Sequence, residues 1–366
     1  MAHIFGITFI ASDRVFGVEN WGGRSPNLTS APIQAPLLGA ISSAPVCVGG
    51  IVDADFRVYV LANGTIFFYQ DGNDLSSLTR TFDVGHATQW SLAHGGNTLY
   101  VGTGIYGSDP SEELLIALDD TTGNARWSKP LPGVPLFPAS MVYGGAPSPR
   151  HLNAPERVIV TAAPNIAAFD AKTGAKLWSE PSGQGAGQVV SGEYVYYYGE
   201  NGLFARSVMN GHLLWSWITR IGFSRPAVLG NSVYVTAGSN QIYALDARTG
   251  QVLWQVENPY QNPGNPVAYE YEGQTLVIFE VGRYFIEDSF LVGLDGATGA
   301  LLWKSDTPVA GAMQACTDPI SIFSGGVQVG TPDGRLVTLN GLSGELWWQL
   351  QLSDIGFSSS PTWAPY

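Results

Sequence analysis

The stretch Ala244-Leu-Asp-Ala-Arg-Thr-Gly-Gln-Val-Leu-Trp254 decides the fold: an apolar strand end, an Asp, a polar turn closed by Thr-Gly, and a second strand with Trp four residues past the Gly. It recurs. Gly-Leu-Asp-Gly-Ala-Thr-Gly-Ala-Leu-Leu-Trp stands at 293–303, Ala-Phe-Asp-Ala-Lys-Thr-Gly-Ala-Lys-Leu-Trp at 168–178 and Ile-Ala-Leu-Asp-Asp-Thr-Thr-Gly-Asn-Ala-Arg-Trp at 116–127. Weaker copies end in Gly211–Trp215 and Gly344–Trp348. The motif glycines at 123, 174, 211, 250, 299 and 344 are 51, 37, 39, 49 and 45 residues apart, the size of a four-stranded propeller blade. Each residue has a mechanical task. The Asp accepts hydrogen bonds from the turn it opens, the Gly supplies positive φ, and the Trp packs between neighbouring sheets.

Working outward, two units keep the rhythm without the motif. One runs from Ile41 to about Phe82. The other is split: His3–Ile10 and Arg14–Glu19 form a hairpin, 28–35 supplies an outer strand, and the missing inner strand lies in Phe357-Ser-Ser-Ser-Pro-Thr-Trp at the far end. That phrase is like Ile41-Ser-Ser-Ala-Pro-Val and Phe223-Ser-Arg-Pro-Ala-Val, which open inner strands. The expected fold is therefore all-β: an eight-bladed β-propeller of four-stranded antiparallel blades, a single domain over 1–366. Its first blade is shared between about 1–36 and 355–366, which leaves no open blade edge.

Composition agrees. The 366 residues include 45 Gly, 23 Pro, 16 Tyr, 16 Phe and 11 Trp, and only 13% are charged, the mix of many short strands joined by tight turns. A net charge of −13 argues against nucleic acid or an anionic membrane surface as partner. Cys47 and Cys316 sit far apart in apolar runs and read as small buried hydrophobes, with a disulfide left open. No CxxC or CxxCH occurs, and no metal site is expected. No run is long enough to span a bilayer, and the start has no basic n-region. The expectation is a monomer, cytoplasmic if the chain is complete and secreted or periplasmic if a signal peptide was removed.

The recurring phrase resembles the quinoprotein-like repeat, the AxDxxTGxxxW motif of pyrroloquinoline-quinone dehydrogenases and of BamB-type propellers. The resemblance covers essentially the whole chain and rests on packing and turn residues, so it speaks to fold more than to activity. For the dehydrogenases it implies pyrroloquinoline quinone held with calcium. For BamB-type propellers it implies a non-catalytic binding or scaffold role with no cofactor.

Function is expected where the repeat is broken. Near the starts of successive inner strands stand Ser43, Gln89, Phe137, Gln188, Arg225, Asn265, Gln314 and Ser359. These amides either hold channel water or form a polar central funnel. In the second case Arg225 takes a carboxylate, phosphate or other electron-rich group, and Trp90 stacks on a planar one. Two long loops between second and third strands add Tyr106, Asp109, Glu112 and Glu113, and Arg283, Tyr284, Glu287 and Asp288. Their carboxylates are acid–base or calcium candidates, or plain solvated loop ends. His86 is the general-base candidate, together with Glu287 and Asp288 as catalytic carboxylates. The favoured reading is a polar or anionic small molecule, or a protein partner, bound at the funnel face. The alternative is an enzyme in the same funnel: a quinone-dependent dehydrogenase, or a lyase, cyclase or hydrolase.

Overall fold

Short runs of β-branched and aromatic residues between Gly- and Asp-bearing turns give antiparallel strands throughout. A computed structural model describes residues 5–11, 14–19, 33–36, 46–48, 57–62, 64–70, 78–86, 88–104, 109–135, 138–142, 156–183, 186–218, 225–238, 240–260, 264–282, 289–306, 309, 320–323, 325–331, 333–351 and 362–363. Among them the strands form eight sheets, every pairing antiparallel. Seven sheets have four strands each. The fourth in chain order has five, because Val134–Pro135 and Ser140–Val142 both pair with Arg157–Ala163. Pro135 and Pro138 lack the N–H that an unbroken leading strand would need.

The split blade is present. Phe5–Ala11 pairs with Arg14–Glu19, which pairs with Ile33–Pro36, and Thr362–Trp363 adds to the other edge of Phe5–Ala11. The residue contacts divide the chain into two compact units. One comprises 1–21, 26–183 and 361–366, and the other 22–25 and 184–360. Each holds four sheets. Within the first unit, the leading strands Thr362–Trp363, Val46–Val48, Thr88–Gly95 and Val134–Pro135 lie side by side in that order. Within the second, Ala227–Leu229 lies between Ala186–Ser191 and Val267–Tyr271.

The core is the space between consecutive sheets. Tyr100, Leu115 and Trp127 of the third sheet pack on Val158, Val160 and Phe169 of the fourth. Tyr234, Ile242 and Ala244 of the sixth pack on Val277, Phe279 and Val292 of the seventh. The motif adds a polar clasp to this packing. Trp127 Nε1 donates to the Ala171 carbonyl at 3.0 Å, Trp215 to Ala247 at 3.0 Å, Trp254 to Gly296 at 2.9 Å and Trp303 to Gly341 at 2.8 Å. In each case the acceptor is the residue after the motif Asp, or Asn, of the next sheet. A tyrosine hydroxyl joins at the same carbonyl: Tyr196 at Ala247 and Tyr234 at Gly296.

The motif Asp organises its own turn. Asp246 Oδ1 accepts from the Arg248 and Thr249 amides and from the Thr249 hydroxyl at 2.9 Å; Asp295 does the same with Ala297 and Thr298. The threonine hydroxyl foremost, and the turn amides, hold both carboxyls below their ordinary value.

The motif Gly has a second reason beyond positive φ. At Gly250 (φ +72°) a Cβ would lie 2.6 Å from the Trp215 ring, and at Gly299 it would lie 2.8 Å from Trp254. We expect Gly250→Ala to cost about 2–4 kcal/mol, joining left-handed backbone strain to overpacking. Gly230→Ala is the control: its φ is +58° with nothing within 4 Å of the new Cβ, so only about 1 kcal/mol is expected. Urea titrations of both variants measure the difference. Equal costs would remove the Trp contact from the explanation.

Candidate functional site

Arg225 and Asn265 each stand two residues before a leading strand, and each precedes a buried proline, Pro226 and Pro266. Proline confines the preceding residue to extended backbone, so both side chains leave a fixed main chain. Their register is the same. Ala227 pairs with Tyr234 and Val267 with Ile278, and these two partners sit opposite Ala244 and Gly293 at matching motif positions. The structure brings the two together: the Arg225 backbone N–H donates to Asn265 Oδ1 at 2.9 Å.

The segment carrying Asn265 is fastened from both sides. The Gly264 N–H donates to the Glu280 carbonyl at 2.8 Å, and the Thr236 hydroxyl donates to the Gly264 carbonyl at 3.3 Å. Glu280 is 1% exposed and Thr236 4%, while Arg225 and Asn265 are half-buried. Glu280, a buried glutamate, therefore lies in the strand beside the pair.

Gln188 does not share this step. Val189 pairs with Tyr196, the counterpart of Tyr234, which sets Gln188 one residue further along than Arg225 and Asn265. It is 1% exposed. His86 is half-buried in the short segment after Arg80–Asp83, where the Gly85 N–H is held by Asp83 Oδ1. The backbone of Gln89 and Trp90 lies in strand Thr88–Gly95, but their side chains lie outside the described residues. Arg283, Tyr284, Glu287, Asp288, Gln314, Tyr106, Cys316 and the side chain of Cys47 lie outside them too.

The loop after Thr98–Thr103 spends one of its carboxylates on its own structure. Asp109 caps the short 3-10 turn Pro110–Glu112 by accepting from the Ser111 N–H at 2.8 Å, and the bonds from Ser111 hold its carboxyl low. Glu112 is exposed, and burial pushes the half-buried Glu113 up. Among the described residues no group of three His, Cys, Asp or Glu side chains is placed to hold a metal ion. No helix among them is long and apolar enough to cross a membrane.

Two clusters escaped the sequence reading. Lys304 Nζ lies 3.4 Å from the centroid of the Phe290 ring and 5.4 Å from that of Tyr260, a cation held on aromatic faces. Asp120, Arg57 and His94 form a buried ionic joint between the second and third sheets. The signal for the second was visible: Asp120 occupies the position that is Ala171, Val208, Ala247, Gly296 or Gly341 in the other repeats.

The family model for outer membrane protein assembly factor BamB, a PQQ-repeat family, matches this chain over 54–216, 162–283 and 219–360. The quinone alcohol dehydrogenase subunit of Gluconobacter oxydans is 38% identical over 85 residues, which are 22% of this chain and 11% of that protein. BamB of Nitrosomonas eutropha is 24% identical over 172 residues, 37% of this chain and 42% of that protein. Each alignment thus spans well under two thirds of the relative. The crystal structure of BamB from Moraxella catarrhalis superposes with a TM-score of 0.61 at 15% identity, covering 92% of this chain and 88% of that one. This is a likeness of fold, and the fold is an all-β propeller of antiparallel sheets. With the family model matched from 54 to 360, the chain belongs to the PQQ-repeat propeller family of outer membrane protein assembly factor BamB.

Proposed function

We propose that the chain is a binding propeller, one ring of eight blades, that takes a polar or anionic small molecule where the leading strands of its sixth and seventh sheets begin. The observation that carries this reading is the pairing of Arg225 with Asn265. The backbone N–H of Arg225 is held on the side-chain oxygen of Asn265, on backbone restrained by two prolines and by the Gly264 anchors. An arginine fork matches the paired oxygens of a carboxylate or phosphate. The repeat residues are occupied with turns and clasps, and neither Arg225 nor Asn265 is one of them.

The test is titration calorimetry with citrate and with inorganic phosphate. Arg225→Ala should weaken binding by about 30-fold or more, the usual loss when one partner of a charged hydrogen-bonded pair is removed. Equal affinities for wild type and variant would end the reading. The quinone-dependent relatives keep a dehydrogenase as the second reading. Binding seen only when pyrroloquinoline quinone and calcium are supplied together would put that reading first.

A further inference from the structure

We propose that the outer strand of the fifth sheet, Leu213–Ile218, pairs edge to edge with the same strand of a second copy of the chain, in place of the monomer expected from the sequence. The two strands run antiparallel about a two-fold axis at Ser216. Leu213–Ile218 ends the order Ala186–Ser191, Tyr194–Gly199, Gly202–Ser207, Leu213–Ile218, with no further strand beside it among the described residues. Alternate residues of such an edge turn their N–H and C=O groups away from the sheet, ready for another strand. The two faces of the strand differ. Trp215 donates to the Ala247 carbonyl of the sixth sheet at 3.0 Å, and the Trp217 ring lies 4.6 Å from that of Tyr243 in the same sheet. Alternation sends Leu214, Ser216 and Ile218 to the opposite face. Leu214 is 47% exposed and Ile218 65%, and Ser216 between them is exposed as well.

Each sheet ends in an outer edge, and the other edges are guarded. Counted from the motif Trp, the residues that match Leu214, Ser216 and Ile218 are Arg126, Ser128 and Pro130 in the third sheet and Leu177, Ser179 and Pro181 in the fourth. They are Leu253, Gln255 and Glu257 in the sixth, and Leu302, Lys304 and Asp306 in the seventh. In the eighth they are Trp347, Gln349 and Gln351, with the two amides bonded to Arg335 and to the Asp333 carbonyl. The outer strands Ile33–Pro36 and Arg80–Asp83 end in a proline and in charges. Proline withholds an edge donor, and charge resists an incoming strand. The fifth sheet has neither. No Asp, Glu, Lys or Arg stands between 207 and 219, in a chain of net charge −13.

This pattern selects the occupant. The exposed face reads apolar, small, apolar in either direction about Ser216, so its best complement is itself reversed, the condition for a two-fold contact. The axis sets Leu214 of each copy opposite Ile218 of the other, Ser216 opposite Ser216, and Trp215 opposite Trp217. Apolar, aromatic and hydroxyl pairs of this kind stabilise neighbouring strands. Two chains of the same negative charge repel, so contact falls where no charged side chain is met. One strand is small against the interface of a permanent dimer, and the pairing is therefore weak and concentration-dependent.

Sedimentation equilibrium at loading concentrations from about 5 to 500 µM is the test. Wild type should pass from monomer to dimer across that range, and sodium chloride should strengthen the dimer by screening the like charge. Ser216→Lys and Ser216→Glu should each weaken dimerisation at least about 10-fold, because like charges then meet across the axis. Mixed in equal amounts the two should dimerise again, since lysine now faces glutamate. Gln255→Lys, at the matching position of the sixth sheet, should behave as wild type. Should the Ser216 variants fail to melt cooperatively, Ile218→Lys at the exposed strand end carries the test, with a loss of the same sign. Wild type that stays monomeric throughout overturns the proposal, and so does a Ser216→Lys protein that dimerises as wild type does. Loss of the dimer in Gln255→Lys, or a mixture of the two Ser216 variants that stays monomeric, overturns it as well.

Discussion

A chain lacking residues 355–366 should lose the cooperative melting of the unit that contains both termini, with a melting temperature lowered by 10 °C or more. The strand Thr362–Trp363 is short, but it pairs with the middle of Phe5–Ala11 through Ile7–Trp363 and Thr8–Thr362 and lies against Val46–Val48 of the next sheet. Its removal leaves Phe5–Ala11 as an open edge and strips the leading strand of the second sheet of a neighbour. Open edges invite pairing with other chains, so aggregation should accompany the loss. A loss of several kcal/mol is large against the roughly 5–15 kcal/mol that separates folded from unfolded domains. Thr362→Pro, which removes a backbone donor without shortening the chain, should shift the melting point the same way by a smaller amount. Scanning calorimetry decides it. A truncated chain melting within about 2 °C of wild type would show that the termini are not a structural closure.

The first sheet was legible from sequence because its cues are local. The expected hairpin at 3–10 and 14–19 is found at Phe5–Ala11 and Arg14–Glu19, the expected outer strand at 28–35 is Ile33–Pro36, and the closing strand comes from the far end as expected. The motif glycines at 123, 174, 211, 250, 299 and 344 all have φ between +69° and +76°.

The candidate site was legible only to the nearest residue. Gln188, Arg225 and Asn265 were aligned by spacing, yet Gln188 pairs with Tyr197 immediately before Val189–Tyr196, where Arg225 and Asn265 stand two residues before the corresponding pairs. Side chains alternate along a strand, so one step turns a residue to the opposite face, and Gln188 is buried. The hydrogen bond that fixes Asn265 was equally invisible, because it depends on two strand ends 40 residues apart.

Asp120→Ala should cost about 3–5 kcal/mol, the range for breaking a buried ion pair from one side. The second sheet has no Trp in its outer strand Arg80–Asp83, so the indole clasp that the third, fifth, sixth and seventh sheets make is absent there. Phe82 fills the space against Gly123, and Tyr59 donates to the Asp120 carbonyl at 3.0 Å, as Tyr196 and Tyr234 do at their joints. The Asp120 carboxylate supplies the rest. Its Oδ2 is 2.8 Å from Arg57 Nη1 and 3.0 Å from His94 Nε2, and its side chain is 2% exposed. Burial alone would raise this carboxyl; the hydrogen bond with His94 and the charge of Arg57 outweigh burial and hold it below its ordinary value. Removing it takes away the carboxylate that Arg57 and His94 share. The pH dependence has a definite sign. A carboxyl with a lowered folded-state pKa stabilises above its unfolded value, near 4, and that contribution fades as pH falls below it. The stability gap between wild type and Asp120→Ala, measured by urea unfolding, should therefore be full at pH 7 and narrow below about pH 4. A gap that stays constant from pH 7 to 3 would mean that the joint is held by shape and by Tyr59, and that the ion pair contributes nothing.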